Sequence, residues 1–233
     1  MTFPDGTAAL DDVTIAVSGG EVVSIVGPSG CGKSTLLRCA AGLQTPTAGA
    51  VDVDRASLGY VFQDPTLLPW RTVRGNVELL AELEGVPKSQ RPQLVDDALA
   101  LVGLTEARNQ LPRQLSGGMR MRASLARTLV LDPAVVLFDE PFGALDEITR
   151  ERLNDDVQAV LRSRQTAALF VTHSISEAVY LSHRVLVMSR APGRIVEEIK
   201  IPFSFPRVHD LRYEPEFATV SGRVSDALRQ GSQ

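Results

Sequence analysis

The chain has 233 residues, 44% hydrophobic and 22% charged, enough for one large core or for a core carrying a subdomain. Its 24 Lys and Arg against 28 Asp and Glu leave a net charge of −4, which argues against the clustered positive surface that nucleic-acid phosphates require. The first ten residues contain Asp5 and lack the apolar run of a secretory signal, and no apolar stretch reaches the ~18 residues that span a bilayer. The chain is therefore expected to be soluble by itself and to reach any membrane through a partner.

In chain order, the short apolar run 22–26 meets Gly27 abruptly and predicts a buried strand ending in a loop. Gly27, Pro28, Ser29, Gly30, Cys31, Gly32, Lys33, Ser34 and Thr35 then fit G-x-x-x-x-G-K-[ST], the loop in which consecutive N–H groups cradle a polyphosphate. In such a loop Lys33 reaches the outer phosphates and the Ser34 hydroxyl ligates Mg²⁺. The following helix, expected over 33–43, adds the positive end of its dipole. Cys31 and Cys39 are the only cysteines, show no metal-site spacing and read as reduced thiols.

A second strand is expected at 58–62, followed by Gln63 and a loop, 64–71, rich in Pro and Leu and holding the single Trp, Trp70. That loop is expected either to expose an apolar partner surface or to pack Leu67, Leu68 and Trp70 beneath the helices that follow. Val77, Leu80, Ala81 and Leu83, then Leu94, Ala98, Leu101 and Val102, predict two helices broken at 85–87. Strands return at 135–138, 167–171 and 184–188, each separated by a helical stretch, which favours a largely parallel sheet with helices on both faces. The organisation expected is a core of 1–71 and 116–200, a helical insertion over 72–115, and a tail over 201–233 with a short helix at 216–228.

Two further groups bear on chemistry. Asp139 and Glu140 close the apolar run 135–138: one carboxylate at a strand end can hold Mg²⁺, and a second can deprotonate a water. Ser116, Gly117 and Gly118 open a helix as an N-cap with small residues, which exposes N–H groups to an anion. Alone, that turn reads as a plain cap. Two anion-binding helix starts and a metal carboxylate exceed what one nucleotide needs, unless two protein surfaces share it.

In this order of motifs, over nearly all of 3–196, the chain resembles the ATP-binding cassette (ABC) ATPases. The resemblance implies an α/β P-loop core with a mainly parallel sheet, an inserted helical subdomain and a small antiparallel β portion. It implies ATP and Mg²⁺, with Ser34, Asp139 and Gln63 at the metal, Glu140 as catalytic base and His173 as the switch histidine near the γ-phosphate. Ser116, Gly117 and Gly118 match the signature loop that caps the ATP held by the opposite subunit, Asp146 the following D-loop, and Phe3 the aromatic that stacks on adenine. The implied assembly is a homodimer, or a pair with a closely related subunit, driving transmembrane permeases at the cytoplasmic face of the membrane. An extracytoplasmic solute-binding protein would act indirectly, and no nucleic acid is involved.

The segments 64–70, 115–120, 138–146 and 190–194 are similar to those of importers of the nitrate, sulfonate and taurine group. An exporter or lipoprotein-release ATPase, or a soluble cassette ATPase, is the alternative, and a lone P-loop kinase would leave 115–118 and His173 without work. Three departures stand out. Met121 replaces a common Gln and is expected to remove a polar contact near the opposite nucleotide; Ser174 replaces Asp after His173, with Ser174 and Glu177 spaced as a capping box. The strand that usually precedes the aromatic matched to Phe3 is missing, so fraying is expected there. His183 and His209 match no motif and read as ordinary residues.

Overall fold

The computed structural model describes residues 1–231; Ser232 and Gln233, the end of the expected tail, lie outside the described residues. Six strands form one sheet in the order β2-β3-β4-β1-β5-β6. Four of them, β1 (Val22–Val26), β3 (Val135–Asp139), β4 (Ala167–Val171) and β5 (Arg184–Met188), are short apolar runs, and helices cover both faces of the sheet. Strands buried on both faces read as continuous hydrophobic runs rather than alternating ones, which is why composition alone located them. β1 pairs parallel with β4 and β5, β3 with β4, and β2 (Leu58–Val61) with β3. β6 (Ile195–Lys200) closes the far edge antiparallel to β5.

Helix α1 (Lys33–Ala40) lies on one face, in an apolar cluster with Val23, Ile25, Leu37 and Met188. It stops three residues short of the expected end, because Gly42 turns left-handed at φ 73°. The other face carries α2 (Val73–Leu83), α3 (Arg91–Leu101), α4 (Gly117–Leu129), α5 (Glu147–Arg164), α6 (Ile175–Leu181) and α7 (Pro215–Gly231). Val77, Ala98, Leu125, Phe138 and Phe170 belong to one continuous apolar cluster there. Leu83, expected on the apolar stripe of its helix, is instead 71% exposed. It follows Ala81 by two residues and so sits about 200° further round the helix.

The first ten residues are not frayed. The Met1 ammonium donates to the Leu10 carbonyl at 2.7 Å, Phe3 N–H to Thr7 O at 2.9 Å and Ala9 N–H to Met1 O at 2.9 Å. The segment before α7 is clipped to α6 by the Arg207 guanidinium, which donates to the carbonyls of Val179 and Tyr180, and to α5 by its main chain, whose N–H donates to Gln158 Oε1 and whose carbonyl accepts from Gln158 Nε2.

Candidate functional site

The loop after β1 needs glycine at two points where a side chain does not fit. Gly32 precedes α1 at φ 102°, and a Cβ there would lie 2.6 Å from the Ala9 carbonyl oxygen. Gly27 is hemmed by Cys31 Sγ and Met188, where an added Cβ would come within 2.8 and 3.0 Å. Lys33 is buried, its Nζ donating to the Gly27 and Pro28 carbonyls at 2.8 and 2.9 Å, while Ser29 and Gly30 stand exposed at the rim. Main-chain N–H groups, a helix start and an ammonium at one loop suit an anion of several charges, such as a polyphosphate. Cys31 and Cys39 are both free and buried.

Across the sheet from this loop, Asp139 ends β3. Its Oδ1 accepts from the Ser34 hydroxyl at 2.9 Å and its Oδ2 from the Tyr60 hydroxyl at 2.9 Å. Tyr60 has no signature in the sequence: it becomes a site residue only because β2 pairs with β3, where Leu137 is its partner. Burial first, and then the neighbouring Asp139 carboxylate, push its phenol far up, so it stays a donor. Ser34 and Asp139 offer hard oxygen donors side by side, the set that suits Mg²⁺ completed by phosphate and water. Among the described residues no cluster of three His, Cys, Asp or Glu exists that would make an all-protein cage.

Glu140 follows on a left-handed backbone, φ 46°, with its N–H donating to Val171 O at 3.0 Å. For a non-glycine residue that conformation costs about 1–3 kcal/mol and persists only where the surroundings impose it. The turn aims the Glu140 carboxylate at His173, placing Oε2 3.0 Å from Nδ1. A Cβ on Gly143 would stand 3.1 Å from His173 Cε1, 3.6 Å from Gln63 Nε2 and 3.6 Å from the Glu140 carbonyl oxygen. Gly143, which the motifs left unremarked, is therefore the point on which Gln63, Glu140 and His173 converge.

Asp146 caps α5, accepting from Thr149 N–H at 3.0 Å, and those bonds hold its carboxyl below the usual range. Ser116 caps α4, accepting from Met119 N–H at 3.2 Å. Gly117 and Gly118 lie against Leu145 and Thr149, where added Cβ atoms would come within 3.3 and 2.7 Å. The 116–118 turn thus rests on the segment that follows the acidic pair, and among the described residues no hydrogen bond joins it to residues 27–35. Phe3 is half-buried against the cluster that contains Cys31 and Leu37.

Two departures find their place here, the second with a correction. Met121 points into the core, 3% exposed, because it falls on the buried stripe of α4 with Leu125 and Leu129. Its side chain is therefore not available to a nucleotide on another subunit. The capping box at Ser174 is only half made. Ser174 Oγ accepts from Glu177 N–H, but the Ser174 N–H goes to Thr172 Oγ1, and the Glu177 carboxylate accepts from the Thr172 hydroxyl instead.

The 64–71 loop divides. Leu67 packs on the core, and buried Asn76 pins the loop by bonds to Leu68, Arg71 and Thr72, whereas Trp70 is 73% exposed. A cleft of about 420 Å³, which the same loop lines through Thr66, runs between Tyr60, Phe62, Leu80 and Arg127. Its position, between the sheet edge at β2 and the helices α2 and α4, brings together chain segments that the sequence separates widely.

The family model described as ABC transporter matches residues 10–143. The chain is 42% identical over 230-odd residues to the nitrate import ATP-binding protein NrtD of Synechocystis sp., covering 95% of this chain and 88% of the relative. It is 43% identical to the aliphatic sulfonates import ATP-binding protein SsuB 2 of Burkholderia lata, covering 95% and 81%. Among solved structures, the dimeric post-hydrolysis state of the ATP-binding cassette MJ0796 bound to ADP and Pi superposes with a TM-score of 0.72. That match is at 31% identity and covers 84% of this chain and 92% of the other.

Proposed function

The chain belongs to the ABC transporter family of ATP-binding, ATP-hydrolysing subunits, and from that premise we propose that two copies clasp two ATP molecules between them and drive a membrane permease. The observation that carries this reading is the presence of two helix starts suited to an anion, at Lys33 and at Ser116, which no hydrogen bond among the described residues joins within one chain. One holds the phosphates of its own ATP. The other, presented by Gly117 and Gly118, faces the γ-phosphate held by the partner copy. Only ATP offers that phosphate to both surfaces, so closure is tied to the triphosphate.

Gly27 to Thr35 wrap the phosphates, with Pro28, Ser29, Gly30, Cys31 and Gly32 lending main-chain N–H groups where they have them and Lys33 its charge. Ser34, Asp139 and Gln63 are the residues that would hold Mg²⁺, which supplies charge neutralisation at the outer phosphates. Glu140 takes the proton of the attacking water. An ionised carboxylate only accepts hydrogen bonds, so His173 Nδ1 carries the hydrogen it shares with Glu140 and keeps that carboxylate aimed. Asp146 lines the joint between the copies, and Phe3 stacks on adenine.

Trp70 and the cleft beside Phe62 form the surface for the permease, next to Gln63, so that closing the site and moving the permease are one event. In this reading 72–115 is a helical subdomain inserted in the core of 1–71 and 116–200. The subunit sits at the cytoplasmic face of the membrane without crossing it, and no helix among the described residues is long and apolar enough to cross. The nitrate and sulfonate importers among the relatives support a small anion such as nitrate, a sulfonate or taurine as the solute, delivered by an external binding protein.

Light scattering on purified Glu140→Gln tests the clasp. ATP with Mg²⁺ is expected to convert monomer to dimer and ADP is not; a chain that stays monomeric in ATP overturns it. Transport by the subunit reconstituted with its permease, challenged with nitrate, a sulfonate and taurine in turn, tests the solute.

A further inference from the structure

Behind the Glu140–His173 pair lies another that the scheme above does not use: Arg150 in the first turn of α5 and Glu177 in α6. Glu177 is 4% exposed. Its Oε2 accepts from the Thr172 hydroxyl, and that hydroxyl in turn accepts from the Ser174 N–H at 3.0 Å. The residues on either side of His173 are thereby tied, through one hydroxyl, to one buried carboxylate.

The other oxygen, Oε1, is buried and has no hydrogen bond. Arg150 Nε, equally buried and without a hydrogen bond, faces it at 3.5 Å. The far end of the same guanidinium is occupied: Nη2 donates to the Leu145 carbonyl at 2.9 Å. Leu145 immediately precedes Asp146 and packs against Gly117. Burial pushes the Glu177 carboxyl up, while the Thr172 hydroxyl and the Arg150 guanidinium pull it down.

An ion pair between a buried carboxylate and a half-buried guanidinium is a poor device for stability alone, because desolvation offsets much of the attraction. Its use lies in geometry. The planar guanidinium bridges the Leu145 carbonyl, to which it donates a hydrogen bond, and the Glu177 carboxylate at the start of α6, which it meets as an ion pair, in one orientation. We infer that Arg150 and Glu177 are positioning residues, which hold the turn carrying His173 in register with the 143–146 segment and so link the hydrolytic pair to the base of the 116–118 turn. The inference rests on the proposed roles of Glu140 and His173.

Single-turnover ATP hydrolysis, ATP affinity and thermal unfolding are to be measured for Glu177→Gln, Arg150→Met and Arg150→Lys, in the parent and in a His173→Ala chain. Glu177→Gln and Arg150→Met are expected to slow the chemical step by about 10- to 100-fold, the scale of a misplaced catalytic group. ATP affinity should stay within about twofold, as for a loss confined to the transition state. In His173→Ala, the same substitutions should slow hydrolysis by less than about twofold more, because residues acting through one group are not additive. Arg150→Lys, which keeps the charge and loses the fork, should fall between, and it serves as the variant if Glu177→Gln does not fold.

Full additivity in the His173→Ala chain, or a rate loss matched by the unfolded fraction at the assay temperature, overturns the inference. So does a parental rate in Glu177→Gln when His173→Ala is slow. If His173→Ala itself turns over at the parental rate, the proposed role of His173 falls first and takes the positioning pair with it.

Discussion

The Glu140 carboxylate meets His173 Nδ1 at 3.0 Å from a left-handed backbone, φ 46°, so that carboxylate is aimed by its own strained turn and by the imidazole together. Glu140→Gln preserves the shape and removes the proton acceptor. Hydrolysis is expected to fall by at least ~100-fold while ATP binding is retained, the scale of a general base. Steady-state phosphate release and nucleotide binding on the same preparation check this, and near-normal turnover would take Glu140 out of the role.

Phe3 is packed rather than loose, its N–H bonded to Thr7 O at 2.9 Å and its ring against the cluster around Cys31. A ring so held can stack on a base, a contact of about 1–3 kcal/mol. Phe3→Ala should therefore weaken ATP several-fold and inorganic triphosphate hardly at all. Equal loss for both ligands would show that the ring acts by supporting the phosphate loop.

Gly32 is the tightest joint in that loop. Gly32→Ala forces a side chain onto φ 102° and drives a Cβ to 2.6 Å from the Ala9 carbonyl oxygen. The backbone conformation alone costs about 1–2 kcal/mol, and the clash adds to it. Urea unfolding should show a lower midpoint at unchanged slope; an unshifted midpoint would mean that residues 9–10 yield freely.

His183 accepts the Val22 N–H on Nδ1 at 3.0 Å, which ties the start of β1 to the turn before β5. Burial first, and then the Arg207 charge, depress its imidazole below the usual value. The folded chain thus binds a proton less readily than the unfolded one. The stability this gives is complete above the unfolded value of about 6.5 and is lost as pH falls from there through the folded value. Urea midpoints between about pH 7.5 and 5.5 should decline in the parent and decline less in His183→Gln, whose amide oxygen still accepts from Val22.

Trp70 is 73% exposed beside a loop that Asn76 holds rigid. Trp70→Ala should cost less than about 0.5 kcal/mol, as surface substitutions do, and leave ATP hydrolysis by the isolated subunit near parental. Its co-purification with the permease should nonetheless drop sharply. Crosslinks from positions 66 and 70 to the permease provide the direct check, and their absence from both would remove this loop from the interface.

Much of this protein was legible in one dimension because its chemistry is local. The loop at 27–35 works through consecutive N–H groups, so its glycines, Lys33 and Ser34 must be neighbours in sequence. Strands buried on both faces are apolar without interruption, so β1, β3, β4 and β5 announced themselves. A cap residue such as Ser116 acts on an N–H group three positions along and was readable for the same reason.

Tertiary structure alone decided the rest, wherever a role depends on which chain segments become neighbours. Tyr60 reaches Asp139 across 79 residues because β2 pairs with β3. Met121 and Leu83 depended on which stripe of a helix meets the sheet, and a single substitution in a periodic pattern does not reveal that. The half-made cap at Ser174 turned on Glu177 finding Thr172 and Arg150, the latter 27 positions earlier on another helix. Gly143 matters because two side chains, Gln63 after β2 and His173 after β4, and the Glu140 carbonyl at the end of β3 close on one backbone position. Hydrogen-bond motifs are written along the chain; convergence is a property of the packing.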